Sequence, residues 1–474
     1  MANYDLILVG TGFASTFFLQ NYLKHPAHAR NRILVLERGR KDNHAWQVQQ
    51  RKNSSIDPSS VYINNNKDKG WVFNVGFGGG SNCWWAGTPR FMPNDFLLQS
   101  QYQVGTDWPI TYDDLEPHYD KVEKIMQVSG PDLGDLFPRS HPYPQPPHNF
   151  TDPDKQMKQA YPNLYFQQPC ARARIATAHR PKCCANGVCG ICPINSKFTI
   201  ASEMAELYED PRVDLRLEAP AIQVLTQGDL VTGVAYMEGG QLFEAKGDLV
   251  ILGANALFNP HLMLRSGFTE PALGKGLNEQ VSYSIAVDLD GIDNFQGSTS
   301  ISAHAYHLYD GAHRKQRAAC LIESTNVPDL RAERGKWRQR MILRCVMEDL
   351  PDSRNYVREY PQDKQLAETV YVGHSQYTQR TIDRLVQDVE TIFGVLPIEK
   401  IHTPKANHSD AHILGTTMMG DDPQNSVVDR HLIHHRYRNL VVLGSGVFPT
   451  CPPANPTLTL SALSSWSAEH LFGK

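Results

Sequence analysis

A chain of 474 residues with 41% apolar and 20% charged residues can build large hydrophobic cores and is expected to divide into two or three domains, which excludes a disordered or fibrous chain. A formal net charge of −4, from 46 basic and 50 acidic residues, leaves no basic excess for a nucleic-acid role. No apolar run is long enough to span a bilayer.

The first element is a strand, Tyr4-Asp-Leu-Ile-Leu-Val-Gly10, with no basic and apolar leader ahead of it. The reading therefore expects no signal peptide and a cytoplasmic location. A Gly-rich turn, a helix over roughly 15–23 and a second strand at 32–37 follow, the opening of a doubly wound α/β unit. Residues 112–128 read as a helix, 129–170 as a Pro-rich loop and 198–208 as a helix. Segments 213–219, 221–227, 230–237 and 241–247 alternate like an antiparallel meander and lead into an apolar buried strand, GDLVILGA, at 247–254. Residues 280–375 are again strand-rich, and 378–394 reads as one helix. The final segment holds a buried strand, NLVVLG, at 439–444 and an amphipathic helix from about Thr459. The buried strands thus sit near the start, middle and end of the chain, with half-exposed strands between them. That pattern points to an α/β protein in which one domain is assembled from separate pieces and a second is inserted.

Gly10-Thr11-Gly12-Phe13-Ala14-Ser15 lies between the first strand and its helix. The first glycine permits the tight turn and the second lets backbone amides approach a pyrophosphate at the helix N-terminus. Ser15 at the third position is small enough for close packing. Glu37 ends the second strand, suitably placed for ribose hydroxyls. The turn alone does not separate NAD from FAD.

Nine cysteines do not form a disulfide framework, and four of them fall within Cys183–Cys192, CCANGVCGIC, before Pro193. Cys184, Cys189 and Cys192 have the C-x4-C-x2-C spacing of ferredoxin ligands, and Cys183 is a further candidate. Glycines 187 and 190 free the backbone to curl, and Arg172, Arg174, Arg180 and Lys182 offer positive charge. An iron–sulfur cluster is the reading adopted; a zinc knuckle and free or disulfide-bonded thiols are the alternatives. Cys170, Cys320, Cys345 and Cys451 are read as structural.

Two further segments, FGGGSNCWWAGTPRF at 77–91 and HILGTTMMGDDPQNSVVD through NLVVLGSGVFPT to ANPTLT at 412–459, resemble the glucose–methanol–choline (GMC) oxidoreductases, with the N-terminal turn in support. The likeness leans to their pyranose oxidase-like and bacterial iron–sulfur sugar dehydrogenase branch. GANALFNPHLMLRSG at 253–267 is similar to the family's second signature, with Asn259 where many members carry Ser or Thr. The resemblance implies a discontinuous Rossmann-type FAD-binding domain (1–110, 170–275 and 405–474) and a substrate domain on an antiparallel sheet (111–169 and 276–404). It implies FAD contacts at Gly10, Thr11, Gly12, Phe13, Ala14, Glu37, Arg38, Gly79, Gly80, Ser81, Asn82, Cys83, Trp84, Ala86, Ile222, Ala254, Ser445, Gly446, Asn455, Pro456 and Thr457.

The same resemblance makes His412 the active-site base and Asn455 its partner. A neutral imidazole can take a hydroxyl proton while hydride leaves the carbinol carbon, and an amide can hold the oxygen without titrating. His408 with His412 could instead bind zinc; His431, His434 and His435 read as a solvated turn. Cys83 could form a thioether to the flavin or pack beside it unbonded. In the iron–sulfur relatives CC-x4-C-x3-C-P holds a three-iron (3Fe-4S) cluster, whereas the last gap here is two residues, which leaves the final ligand open.

The implied activity is oxidation of a sugar or other alcohol, with electrons leaving through the cluster to a cytochrome or quinone. A small helper subunit is implied with it, and export with that subunit is compatible with the missing leader. An oxidase with structural cysteines and a non-redox lyase on the same fold are the alternatives. His304, His307 and Asn355 touch substrate or lie on the surface.

Overall fold

In the computed structural model of the protein, which describes residues 2–473, the apolar runs picked out from sequence lie side by side. Strands Val213–Arg216, Ile33–Leu36, Ala2–Val9 and Gln241–Leu252 pair in parallel in that order, and Leu440–Val442 joins the far side of Gln241–Leu252. Leu6 to Leu8, Ile33 to Val35 and Val250 to Leu252 are wholly buried. Burial on both faces is why the other four read as unbroken apolar runs; Val213–Arg216, expected to open the antiparallel meander, is instead a half-buried parallel strand beside Ile33–Leu36.

Gln241–Leu252 is one strand of 12 residues, not the two expected. Its exposed first half pairs antiparallel with Leu230–Glu238, which pairs in turn with Ala221–Gln227. Its buried second half lies parallel to Leu440–Val442. The change of alternation near Gly247 is a change of neighbour, not a chain break. At the antiparallel pairing a side chain on Gly233 would overlap the carbonyl of Ala245, so glycine alone fits there.

A second sheet runs Ile398–Ile401, Val281–Leu289, Arg340–Met347, Cys320–Thr325, Ile301–Leu308 and Tyr165–Gln167, all antiparallel. Met341, Leu343, Cys345 and Met347 of RMILRCVM enter an apolar core with Ile285, Val287 and Ile322, so the alternate residues Arg344 and Val346 take the opposite face. A small third sheet joins Tyr356–Tyr360, Asp363–Val370 and Tyr62–Asn64.

Several expected helices differ. The stretch read as a Pro-rich loop contains helix Asp152–Ala160, with Pro153 in its first turn and Thr151 and Asp154 closing a capping box. Proline there starts a helix rather than forbidding one. The single helix expected over 378–394 is two, Gln376–Ile382 and Leu385–Phe393, turning at Asp383 and Arg384 so that Tyr377, Leu385 and Val389 all reach the second sheet's core. The 198–208 helix is Ile200–Glu203 followed by a 3₁₀ turn, Ala205–Glu209.

The last helix, Thr457–Phe472, is not amphipathic. It lies between helices Phe13–Lys24 and Tyr112–Met126 and buries serines on several faces. Ser461 and Ser464 donate to the carbonyls of Thr457 and Leu460 four residues back, which satisfies them inside the protein.

The segment before helix Tyr112–Met126 is held to it by Arg90. This fully buried guanidinium donates to both oxygens of Glu123, at 2.8 and 3.0 Å, and to Tyr112 and Glu116, both at 3.1 Å. Glu123→Ala is expected to take from the buried Arg90 its two-pronged partner, leaving Glu116 as its one carboxylate, and to lower stability by about 3–5 kcal/mol. Equilibrium denaturant unfolding checks this.

Candidate active site

The carboxyl ends of the central parallel strands open on one cavity of about 490 Å³, the position at which open α/β sheets take ligands. Residues 9–14, 36–38, 253–255 and 444–445 line one end of it. Gly10 has φ +93°, and a Cβ there would stand 2.6 Å from the carbonyl oxygen of Gly253. At Gly12, Gly80 and Gly444, also lining residues, a Cβ would meet no atom within 4 Å. These three glycines therefore leave space on the cavity side that side chains would fill. Helix Phe13–Lys24 starts at the cavity with Gly12 as an N-cap that makes no side-chain bond and with no acid in its first turn. Its first amides are free for an anion.

Glu37 is buried beside this turn and accepts from Thr11 N at 3.2 Å, Thr11 Oγ1 at 2.7 Å and Gly39 N at 2.9 Å. The Arg38 guanidinium lies 4.5 Å from the Phe258 ring centre. Asn255, in the left-handed region at φ 71°, caps helix Asn255–Arg265 by accepting from Leu257 N and Phe258 N. Asn259 accepts from Ala254 N at 2.7 Å and donates to Leu443 O at 2.9 Å, which joins the ends of two parallel strands. A glycine cradle, uncapped helix amides and an acid at the second strand's end fit the adenine dinucleotide of FAD.

His412 and Asn455 also line the cavity and meet there, with Asn455 Nδ2 at 3.4 Å from His412 Nε2. The second ring nitrogen, Nδ1, lies 3.0 Å from Gln280 Oε1. The orientation of that amide is determined, because Gln280 Nε2 donates to the carbonyls of Pro452 at 2.7 Å and Ala454 at 3.0 Å. Its oxygen must therefore face the imidazole and accept, which puts the proton on Nδ1 and the lone pair on Nε2. Burial pushes the His412 imidazole down to about 4; Asp410 opposes this and Arg344 reinforces it. Glu279 anchors the segment by accepting from Asp410 N at 3.1 Å, His412 N at 3.3 Å and Ser409 Oγ at 3.2 Å, and it pairs with Lys69. Ile301, Glu323, Arg344 and Val346 of the second sheet complete the lining.

Of the residues expected from sequence, Ser81, Asn82, Ile222 and Gly446 do not line the cavity; the others assigned to FAD do. Ser81 Oγ donates to Gly78 O and accepts from Ile200 N, Asn82 donates to Phe77 O, and Gly446 packs against Thr417 and Gly415. These three shape the loops from behind. Asn355 is buried away from the cavity, donating to Gly373 O and accepting from Val372 N. His434 is not in a solvated turn: it is fully buried, with Nε2 at 3.0 Å from Glu270. His408 turns its Nδ1 to Asp68 O at 3.2 Å. Gln280, Glu279, Gln168, Glu323 and Arg344 were missed. Only the strand alternation that sets Arg344 opposite a core face could have signalled any of them.

A second, small cavity is lined by Cys183, Cys184, Cys189 and Cys192 together with the buried cations Arg172 and Lys197. Arg172 Nη1 donates to Cys189 Sγ at 2.5 Å, and Ser196 N donates to Cys192 Sγ at 3.2 Å. Among the described residues no three His, Cys, Asp or Glu side chains are gathered closely enough to hold a metal ion. Two contacts join the cavities. Arg172 Nη2 donates to Oε1 of Gln168, a lining residue of the larger cavity, at 3.2 Å. Lys197 Nζ donates to the carbonyls of Asn82, Trp84 and Gly190 at 2.7, 2.9 and 2.7 Å. Burial resists ionisation of the Cys170 thiol, but His148 and Arg172 outweigh it and bring the group down to about 6.

Residues 351–464, which carry His412 and Asn455, match the family model described as GMC oxidoreductase. Through this C-terminal segment the chain is similar to the GMC oxidoreductases. It is 27% identical over 446 residues to the fructose dehydrogenase large subunit of Gluconobacter japonicus, covering 84% of this chain and 80% of that one. It is 22% identical over 622 residues to the gluconate 2-dehydrogenase flavoprotein of Pantoea cypripedii, covering 98% and 93%. The fold is shared with pyridoxine 4-oxidase from Mesorbium loti, at a TM-score of 0.70 and 16% identity over 99% of both chains.

The His412 imidazole is expected to stay neutral, with its proton on Nδ1, down to about pH 4. Gln280→Glu sets a carboxylate against that N–H and is expected to raise the titration by roughly one unit or more. Nitrogen-15 NMR of the ring through an acid titration checks both.

Proposed function

We propose that the protein oxidises a sugar or other alcohol with FAD, taking the hydroxyl proton on His412 Nε2. The observation that carries this reading is the Nε2 lone pair, turned toward Asn455 by the Gln280 contact on the opposite side of the ring. A neutral imidazole in a buried site is a competent base, because burial discourages it from carrying a proton before substrate supplies one. Asn455 would hold the substrate oxygen within reach of that lone pair, and the second sheet over the cavity would limit water. Residues 10–14, Glu37, Arg38, Gly79, Gly80 and Ser445 would hold FAD, which supplies the hydride acceptor. We assign the FAD-binding domain to 1–110, 170–275 and 405–474, and the substrate domain to 111–169 and 276–404.

The four thiols of 183–192 suit an iron–sulfur cluster in donor chemistry, and the cations Arg172 and Lys197 would offset its negative charge. Cys183, Cys184, Cys189 and Cys192 would hold it, and it would supply one-electron transfer to an external acceptor. Proximity favours this role: the Lys197 and Arg172–Gln168 contacts tie the thiol loop directly to the larger cavity. A cytochrome or quinone, with a small helper subunit, is the acceptor system this arrangement would serve.

His412→Ala is expected to retain FAD and to slow anaerobic bleaching of the flavin by an alcohol substrate roughly 10²–10⁴-fold, the usual contribution of a general base. Stopped-flow absorbance checks it, and an unchanged rate would remove His412 from the reaction. Elemental analysis of the purified protein is expected to find iron, with a broad brown absorption beneath the flavin bands. Flavin without iron, together with oxygen consumption on adding substrate, would replace the relay by an oxidase.

A further inference from the structure

His304, Glu323, Arg344 and Ser284 are successive cross-strand partners in the second sheet, so they form a row on one face. Their chain neighbours Ala303, Ala305, Ile322, Leu343, Cys345 and Ile285 lie in the apolar core on the other face. Glu323 and Arg344 line the same cavity as His412 and Asn455.

The two charges of the row are satisfied very differently. Arg344 is committed: its Nη2 pairs with Asp410 Oδ1 and reaches Ser409 O at 3.4 Å. Glu323 is 3% exposed, and His304 Nε2 stands 3.4 Å from its Oε1 without making an aligned hydrogen bond. A contact of that length and angle is a weak hydrogen bond at best. Burial acts to raise the Glu323 carboxyl, but His304 and Arg344 outweigh it and hold the group below the usual carboxylate range. One guanidinium thus serves two carboxylates, Glu323 and Asp410, while Glu279 and Lys69 pair with each other. The Glu323 charge is thus held by neighbouring cations rather than by an aligned hydrogen bond, which leaves its oxygens open to a donor that a ligand brings.

We infer that Glu323 is a specificity residue of the alcohol site: it accepts a hydrogen bond from a hydroxyl or ammonium group of the substrate and repels a substrate carboxylate. The site takes neutral polyols and amino alcohols in preference to sugar acids. This rests on the alcohol-oxidation reading, since it treats the His412 cavity as the substrate site. Arg344, the cation best placed to welcome an acid, is already held by Asp410 and Ser409.

Glucose, glucosamine and gluconate share a carbon skeleton and differ in charge, and calorimetric titration of the holoenzyme with each tests the inference. Gluconate is expected to bind at least roughly ten-fold more weakly than glucose, and glucosamine at least as tightly as glucose, from like and opposite charge in a site of low dielectric. Glu323→Gln, which keeps the shape and removes the charge, is expected to bring the three within about three-fold of one another. Its flavin absorption reports whether it has folded; where it has not, the order of affinities in the unmodified enzyme decides. Gluconate binding as tightly as glucose, an unchanged order in a folded variant, or no binding by any of the three overturns the inference. Binding in the expected order without anaerobic flavin bleaching would retain it and remove the oxidation reading instead.

Discussion

The cavity exists because Gly10 and Gly253, at the ends of adjacent parallel strands, come closer than side chains would allow. A Cβ on Gly10 would stand 2.6 Å from the Gly253 carbonyl oxygen, and one on Gly253 would overlap Ser15. This contact seats helix Phe13–Lys24 against the sheet and aims its free amides at the space beyond. The register that brings Val9 opposite both Leu36 and Leu252 then gathers the turn, Glu37 and the 253–255 segment at one end of the sheet. The second sheet, the Gly79–Ala86 loop and the C-terminal segment all close over that end.

Around His412 the ordering is electrostatic. Two backbone carbonyls orient Gln280, Gln280 orients the His412 proton, and the free nitrogen faces Asn455. Glu279, next in sequence to Gln280, holds the amides of Asp410 and His412. The two residues just before strand Val281–Leu289 therefore set both the position and the tautomer of the histidine, with no formal charge beside its Nδ1. That the matched family model, residues 351–464, contains His412 and Asn455 but not Gln280 divides the site between two stretches of chain.

The cysteine loop is joined to this site through buried cations. Lys197 gathers carbonyls from the Gly79–Ala86 loop and from Gly190, and burial, opposed by Cys83, Cys192 and Cys189, brings its ammonium down to about 8. Arg172 spans from Cys189 to Gln168. Cys170, read from sequence as merely structural, sits beside that arginine with its thiol drawn toward ionisation.

Much of the fold was legible in sequence because it depends on local pattern. Apolar runs marked the parallel strands other than Val213–Arg216, a Gly-x-Gly turn marked the helix start, and alternation marked the second sheet. Reading failed where a local signal had two meanings: Pro153 starts a helix, Gly247 marks a change of strand neighbour, and the serines of Thr457–Phe472 are buried by bonding their own backbone. The sequence by itself carried the likeness to the GMC oxidoreductases, the Gly-x-Gly turn and the two residues, His412 and Asn455, that the fold brings together, since each lies in a short stretch whose residue types carry its chemistry. Only the tertiary structure decided what surrounds them. Gln280, Glu323 and Arg344 become part of the site through strand register and packing between distant segments, and neither spacing nor composition records a hydrogen bond formed across the fold.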